Sequence, residues 1–194
     1  FLWPAFLPAG LAPVPPSSQP RDEMLSGQEF CRQIEEDWLK QAKAIQDGTP
    51  GPVTTETDAR GGCDGVKDGK YAFHTAQEPN PWWQVDLGQV VSLTRVVVFN
   101  RLDYAPGLHN SDNLRVLTSE DGKQWTLRHE TKGKHFGGIS GAPPLELQFP
   151  PDAVRGRFVR LQIPSAQPIY FHLDEVEVYG AAAPDRNLAR HRPA

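Results

Sequence analysis

The sequence predicts an all-β sandwich preceded by an amphipathic α-helix. Three observations carry this reading. From Val53 onward, short segments of strand character are punctuated by Gly, Pro, Asn and Asp at the intervals of an all-β sandwich. The pair Asp121-Gly122 stands between two such segments, which is the strongest short-range hairpin signal. Upstream of Val53 the apolar residues instead recur every three or four positions, the period of a helix.

Residues 1–21 form a Pro/Ser-rich leader whose first twelve residues are apolar but broken by Pro4 and Pro8. Two origins stay open for it, a signal-peptide remnant and a proline-rich linker. Residues 22–52 hold the helix and a linker. Ser26 and Glu29 make a capping box; Cys31, Ile34, Trp38, Ala42 and Ile45 form one apolar stripe; Gly48 and Pro50 end the pattern. Residues 53–180 are the sandwich. Its clearest strands are 82–87, 92–100, 113–119, 157–163 and 172–179. By strand alternation Trp83, Val85 and Leu87 share one face, as do Val159, Leu161 and Ile163, and these are core faces.

Length and charge narrow the function classes. A chain of 194 residues suits one core plus extensions. A formal net charge of −4 carries no broad positive field, so nucleic acid is not an expected partner. No apolar run reaches the roughly 18 residues of a bilayer-spanning helix. Cys31 and Cys63 are too few for a zinc site and lie in no CxxC pair. Two buried free thiols and a disulfide between them are the alternatives, the second favoured in an exported protein. Docking the helix stripe beside residue 63 would bring the pair together, so a Cys31–Cys63 bridge is the expectation.

Five motifs in order resemble a discoidin, or coagulation-factor type C, domain: Asp64-Gly65 followed by Tyr71, NPWWQVDLG at 80–88, SEDGKQW at 119–125, RFVRLQI at 157–163 and LDEVEVYG at 173–180. The likeness covers residues 53–180 and implies a galactose-binding-like jelly-roll sandwich that binds ligands with loops at one end. His74-Thr75 ahead of NPWWQVDL, and Asn100-Arg101-Leu102-Asp103 after the next strand, bring it closest to the fucolectin (F-type lectin) branch. That branch binds fucose through a His and two Arg. His74 matches the histidine and Arg101 the first arginine, whereas Leu108 falls at the second, with His109 beside it. The segment 187–194, NLARHRPA, resembles the opening strand of the same family, implying either the start of a second, tandem domain or a polar tail.

The resemblance also implies a structural Ca2+ ion. Its ligands would be the Asp64 carboxylate, the carbonyls of Gly61, Val66 and Tyr71, the Glu175 side chain and the Asp174 carbonyl. Calcium takes six to eight oxygens, and a Gly/Asp-rich loop supplies them. On Val176–Val178 alternation, Glu175 points away from the core. The glycan site would comprise His74, Arg101, Asp103, Tyr104 and His109. Asp103 would hold the Arg101 guanidinium in place, and Tyr104 and His109 would complete the pocket.

No enzyme is expected. Asp174 and Glu175 are strand neighbours that project to opposite faces and cannot together flank a glycosidic bond. No HExxH, G-x-S-x-G or phosphate-loop motif is present. Arg155, Arg157 and Arg160 read as a solvated strand face rather than an anion site. The reading is a non-catalytic carbohydrate-binding module of a larger extracytoplasmic protein, whether secreted, periplasmic or at the cell surface. Its partner is a fucose- or galactose-like glycan. The rival is an interaction or assembly module of the same fold with no sugar ligand.

Overall fold

The computed structural model describes residues 54–194, so the expected helix over 22–52 and Cys31 lie outside the described residues. The described chain runs α1 (Thr55–Gly61), β1 (Phe73–His74), β2 (Trp82–Phe99), β3 (Arg115–Ser119), β4 (Thr126–Glu130), β5 (Leu145–Gln148), β6 (Arg155–Gln162), β7 (His172–Leu173) and β8 (Glu175–Gly180). Among these residues no helix is long and apolar enough to cross a membrane.

Two predicted strands, 82–87 and 92–100, are a single 18-residue strand. Its first half pairs antiparallel with β6, from Trp82↔Gln162 to Asp86↔Phe158. Its second half pairs with β8 on one side, Val96↔Val178, and with β5 on the other, Val96↔Leu147. The register shifts between Asp86 and Val91, where Gly88 adopts φ 84°, open to glycine at little cost. A strand that bends there passes from one sheet of the sandwich into the other. The order β4-β3-β6-β2-β5, with β8 also on β2, follows from this shared strand.

Alternation places Trp83, Val85 and Leu87 in the core with Leu93, Val96 and Val98 from the same strand, facing Val116, Val159, Leu161, Val176 and Val178. Phe73 joins the two ends of this core, stacking on Trp83 with centroids 5.8 Å apart and meeting Phe171 edge-on at 5.3 Å. The D-G hairpin forms between β3 and β4, with Gly122 at φ 73°. The predicted last strand is broken in two at Asp174.

α1 lies in a segment with no predicted helix. Thr54 Oγ1 accepts from the Thr57 amide at 3.2 Å and Thr57 Oγ1 accepts from the Thr54 amide at 2.8 Å, a reciprocal cap. The helix is then tied to the sandwich, since Trp83 Nε1 donates to the Ala59 carbonyl and the His74 amide donates to Asp58.

Residues 187–193 pack onto this same sandwich. Asn187 Oδ1 accepts from the Val178 amide, the Leu188 amide donates to the Val178 carbonyl, and the Pro193 carbonyl accepts from the Asp86 amide. Ala189 is fully buried. Cys63 is also buried, as a free thiol whose Sγ lies 3.6 Å from the Arg192 carbonyl. The expected Cys31–Cys63 bridge involves a residue outside those described; burial, with Glu175 close by, pushes the Cys63 thiol up to about 12.

The outer face of β6 is neutralised within the fold. Arg157 forks onto Asp86 with both bonds at 2.7 Å, and Arg160 donates to Gln84 while lying over the rings of Trp82 and Trp125. Burial alone would raise Asp86, but the Arg157 fork and the Gly88 amide outweigh it and hold its carboxyl below the ordinary value. Asp86→Asn keeps the turn at Gly88 and loses the charged fork. It is expected to cost about 1 kcal/mol, because Arg157 remains substantially exposed and screened. A depressed carboxyl stabilises above its unfolded pKa, so the gap should close as pH falls through the folded value. Urea denaturation of both proteins at pH 7 and near pH 3 checks this.

Candidate functional site

His74 and Arg101 come from distant parts of the chain and meet at one end of the sandwich. β1 pairs with β7 as Phe73↔Leu173 and His74↔His172, which lays the His74 ring over His172 at 5.5 Å and beside Tyr170 at 4.9 Å. Tyr71 meets His74 edge-on at 5.7 Å. Arg101, immediately after β2, stacks on Tyr71 at 4.6 Å and on Tyr104 at 5.3 Å. Tyr71, Tyr104 and Tyr170 are each about half exposed, whereas Arg101 is only 6% exposed.

Asp103 fixes the guanidinium as the sequence predicts, accepting from Nε at 2.6 Å and Nη2 at 2.9 Å. This hydrogen bond, foremost, holds the Asp103 carboxyl below its ordinary range. A guanidinium carries five N–H donors, so the fork leaves three for a ligand. His74 Nδ1 lies 2.8 Å from the Thr75 carbonyl, an atom that only accepts. In the neutral ring this leaves Nε2 as an acceptor. The ring therefore presents fixed donors, one acceptor and three aromatic faces.

His172 is buried under this ring. Burial, followed by the charges of Arg101 and His74, pushes it down to about 4, so it stays neutral. Asn110 reaches it from the loop after Tyr104, donating to the Tyr170 carbonyl and lying 3.3 Å from His172 Nε2. His109 is not part of the ring: its Nδ1 engages Asp112, and its imidazole faces His135. Leu108 contributes its carbonyl to Asn100 Nδ2.

The second arrangement is a cradle of carboxylates under the loop 61–71. The Ala72 amide donates to the Leu173 carbonyl, which lays this loop across the β7–β8 junction. Glu175, out of phase with Val176 and Val178, is nonetheless fully buried, because the 61–71 loop covers its side chain. Its Oε1 accepts from the Gly65 amide at 3.1 Å, and its Oε2 is buried without a partner. Burial, with Asp64 and Glu177 adding repulsion, pushes Glu175 up to about 9. Asp174 is also buried and accepts from the Gly69 amide at 3.0 Å, and burial raises Asp64 and Asp174 as well. Gly61 is essential to the cradle, since a Cβ there would lie 2.0 Å from the Ala72 carbonyl oxygen. An orphaned oxygen among mutually repelling carboxyls and loop backbone fits a hard cation of the calcium kind.

The F5/8 type C domain family matches residues 41–176. The chain belongs to that family. Among curated relatives of this F5/8 type C domain, fucolectin-6 of Anguilla japonica is 28% identical over 152 residues, 76% of this chain and 77% of that protein. Fucolectin-1 of the same eel is 35% identical over 77 residues, 37% of this chain and 43% of that protein. The match thus spans less than half the length of fucolectin-1. A Streptococcus pneumoniae fucose binding module shares the fold with a TM-score of 0.51 at 24% identity, covering 62% of this chain and 83% of that one. The striped bass (Morone saxatilis) fucolectin does so with a TM-score of 0.51 at 23%, covering 67% and 45%.

Tyr170, His172 and Asn110, and the ring of Tyr71, escaped the sequence reading of this F5/8 type C domain. Tyr170 and His172 reach the ring through pairing across nearly 100 residues, and no local period announces that. The sequence places Tyr71 in the cation loop for its carbonyl, whereas its side chain is what meets Arg101.

Proposed function

We propose that this domain is a non-catalytic carbohydrate-binding module that recognises a fucose- or galactose-like glycan and belongs to a larger extracytoplasmic protein. The observation that carries this reading is Arg101: a nearly buried guanidinium, forked by Asp103 and flanked by exposed tyrosines beside His74. Sugars are gripped by fixed planar donors against hydroxyls and by aromatic faces against their C–H patches, and this ring supplies both. Its relatives named as fucolectins lend support. Leu108 at the position of the family's second arginine removes one set of fixed donors, so specificity is broader than, or different from, that of a fucolectin.

Structural calcium is the second part of the proposal. Asp64 and Glu175 would supply carboxylate oxygens, with carbonyls of Gly61, Val66, Tyr71 and Asp174 completing the set. The ion would neutralise the buried charge and pin the 61–71 loop, and with it Tyr71, beneath the sugar ring. Binding is non-catalytic because Asp174 and Glu175 are buried under that loop, out of reach of a glycosidic bond.

A glycan array probed with the full chain, with and without chelator, tests the reading. Signals confined to fucosylated or galactosylated glycans, and weakened by chelation, are expected. Silence across the array in calcium would favour an assembly module instead.

A further inference from the structure

We propose that His109, Asp112 and His135 form a binding site for a divalent transition-metal ion of the zinc class. One ligand atom from each side chain lies within 4.8 Å of the other two. His109 Nδ1 is 2.8 Å from Asp112 Oδ2, and His135 Nδ1 is 2.9 Å from Asp112 Oδ1. The two imidazoles thus converge on one carboxylate from opposite oxygens, with ring centroids 4.8 Å apart.

The donor chemistry selects the ion. Calcium requires six to eight oxygens, whereas two imidazole nitrogens and a carboxylate suit zinc and its neighbours. A tetrahedral zinc with bonds of about 2.0–2.1 Å sets its donors roughly 3.3 Å apart, so the nitrogen–oxygen contacts of 2.8 and 2.9 Å would open by about half an ångström to admit it. Three protein ligands leave the fourth position to water.

The frame is set before any ion arrives. The Asp112 carbonyl accepts from Thr131 Oγ1 at 2.6 Å and from the Gly133 amide at 2.8 Å, while the Asp112 amide donates to the His109 carbonyl at 3.2 Å. These bonds staple the turn that carries His135 to the turn that carries His109. The Asp112 side chain is 18% exposed and that of His109 71%, so the carboxylate is sheltered while the ion retains an entry path. This site is separate from the carboxylate cradle and does not depend on the sugar reading. An ion bound here would clamp the loop bearing Asn110 to the loop 131–135.

The full chain, stripped of metal by chelation and dialysis, is titrated with ZnCl2 by calorimetry, with CaCl2 titrated separately. We expect one zinc per chain with a Kd below about 10 μM. His135→Ala and His109→Gln should each weaken it at least about tenfold, the scale on which even supporting groups of a metal site matter. His129→Ala, on β4, should leave it unchanged. His109 is exposed, so its variant keeps the fold, and circular dichroism verifies this for all three. CoCl2 in place of zinc should give a ligand-field spectrum without thiolate charge transfer. Zinc binding weaker than about 0.1 mM overturns the site. So does affinity equal to the parent's in both loop variants, or a thiolate band pointing to the cysteines.

Discussion

Chelation followed by dialysis is expected to lower the melting temperature by roughly 10 °C, and CaCl2 to restore it. An ion bound only to the native state at about 100 times its Kd adds about 2.7 kcal/mol, worth a few degrees per kcal/mol in a domain of this size. The cause lies at Glu175, fully buried with Oε2 unpartnered and with Asp64 repelling it. Glu175→Gln keeps the volume and removes the charge that would bind the ion. The variant should melt near the chelated parent and show no response to CaCl2. Because a zinc site would also respond to chelation, the decisive comparison is CaCl2 re-addition to the parent and to Glu175→Gln. A parent indifferent to CaCl2 would refute calcium in the cradle.

Arg101→Ala is expected to abolish sugar binding while the domain remains folded. The parent should bind a matching monosaccharide weakly, with a Kd of about 0.1–1 mM, since one set of fixed donors is missing at Leu108. Removing Arg101 deletes the remaining fork and leaves Tyr71 and Tyr104 without the cation they flank. The loss of packing costs some stability, because an arginine stem covers apolar surface. Arg101→Lys separates the two effects: it keeps a charge and most of the stem but loses the planar fork onto Asp103, so binding should fall at least about tenfold with little change in melting. Leu108→Arg should raise affinity for fucose. Titration calorimetry of the four proteins reads the affinities and thermal melting their stability, and undiminished binding by Arg101→Ala would place the site elsewhere.

Much of the fold was legible because it rests on local period. Trp83, Val85, Leu87, Val159, Leu161 and Ile163 fall on the core face that alternation assigns them. Asp121-Gly122 turns the chain where its backbone freedom permits. The pairing of Arg101 with Asp103 was legible for a similar reason, since two residues of separation bring one side chain within reach of the other. Continuity of β2 through Gly88 was not, because a glycine between two strand patterns reads as a stop, whereas here it serves as a corner.

Sequence by itself determined the sandwich and the family and singled out His74 and Arg101, since these depend on patterns and motifs that survive without coordinates. Tertiary structure alone decided what surrounds the anchors. Tyr170 and His172 face His74 because β7 pairs with β1, and Glu175 is buried because a loop more than 100 residues earlier lies over it. It also placed 187–193 on this domain's own sandwich and drew His109 to Asp112 and His135. The physical reason is common to all of these: alternation states which side of a strand a residue occupies, but whether that side meets solvent, a loop or another side chain depends on contacts made far along the chain.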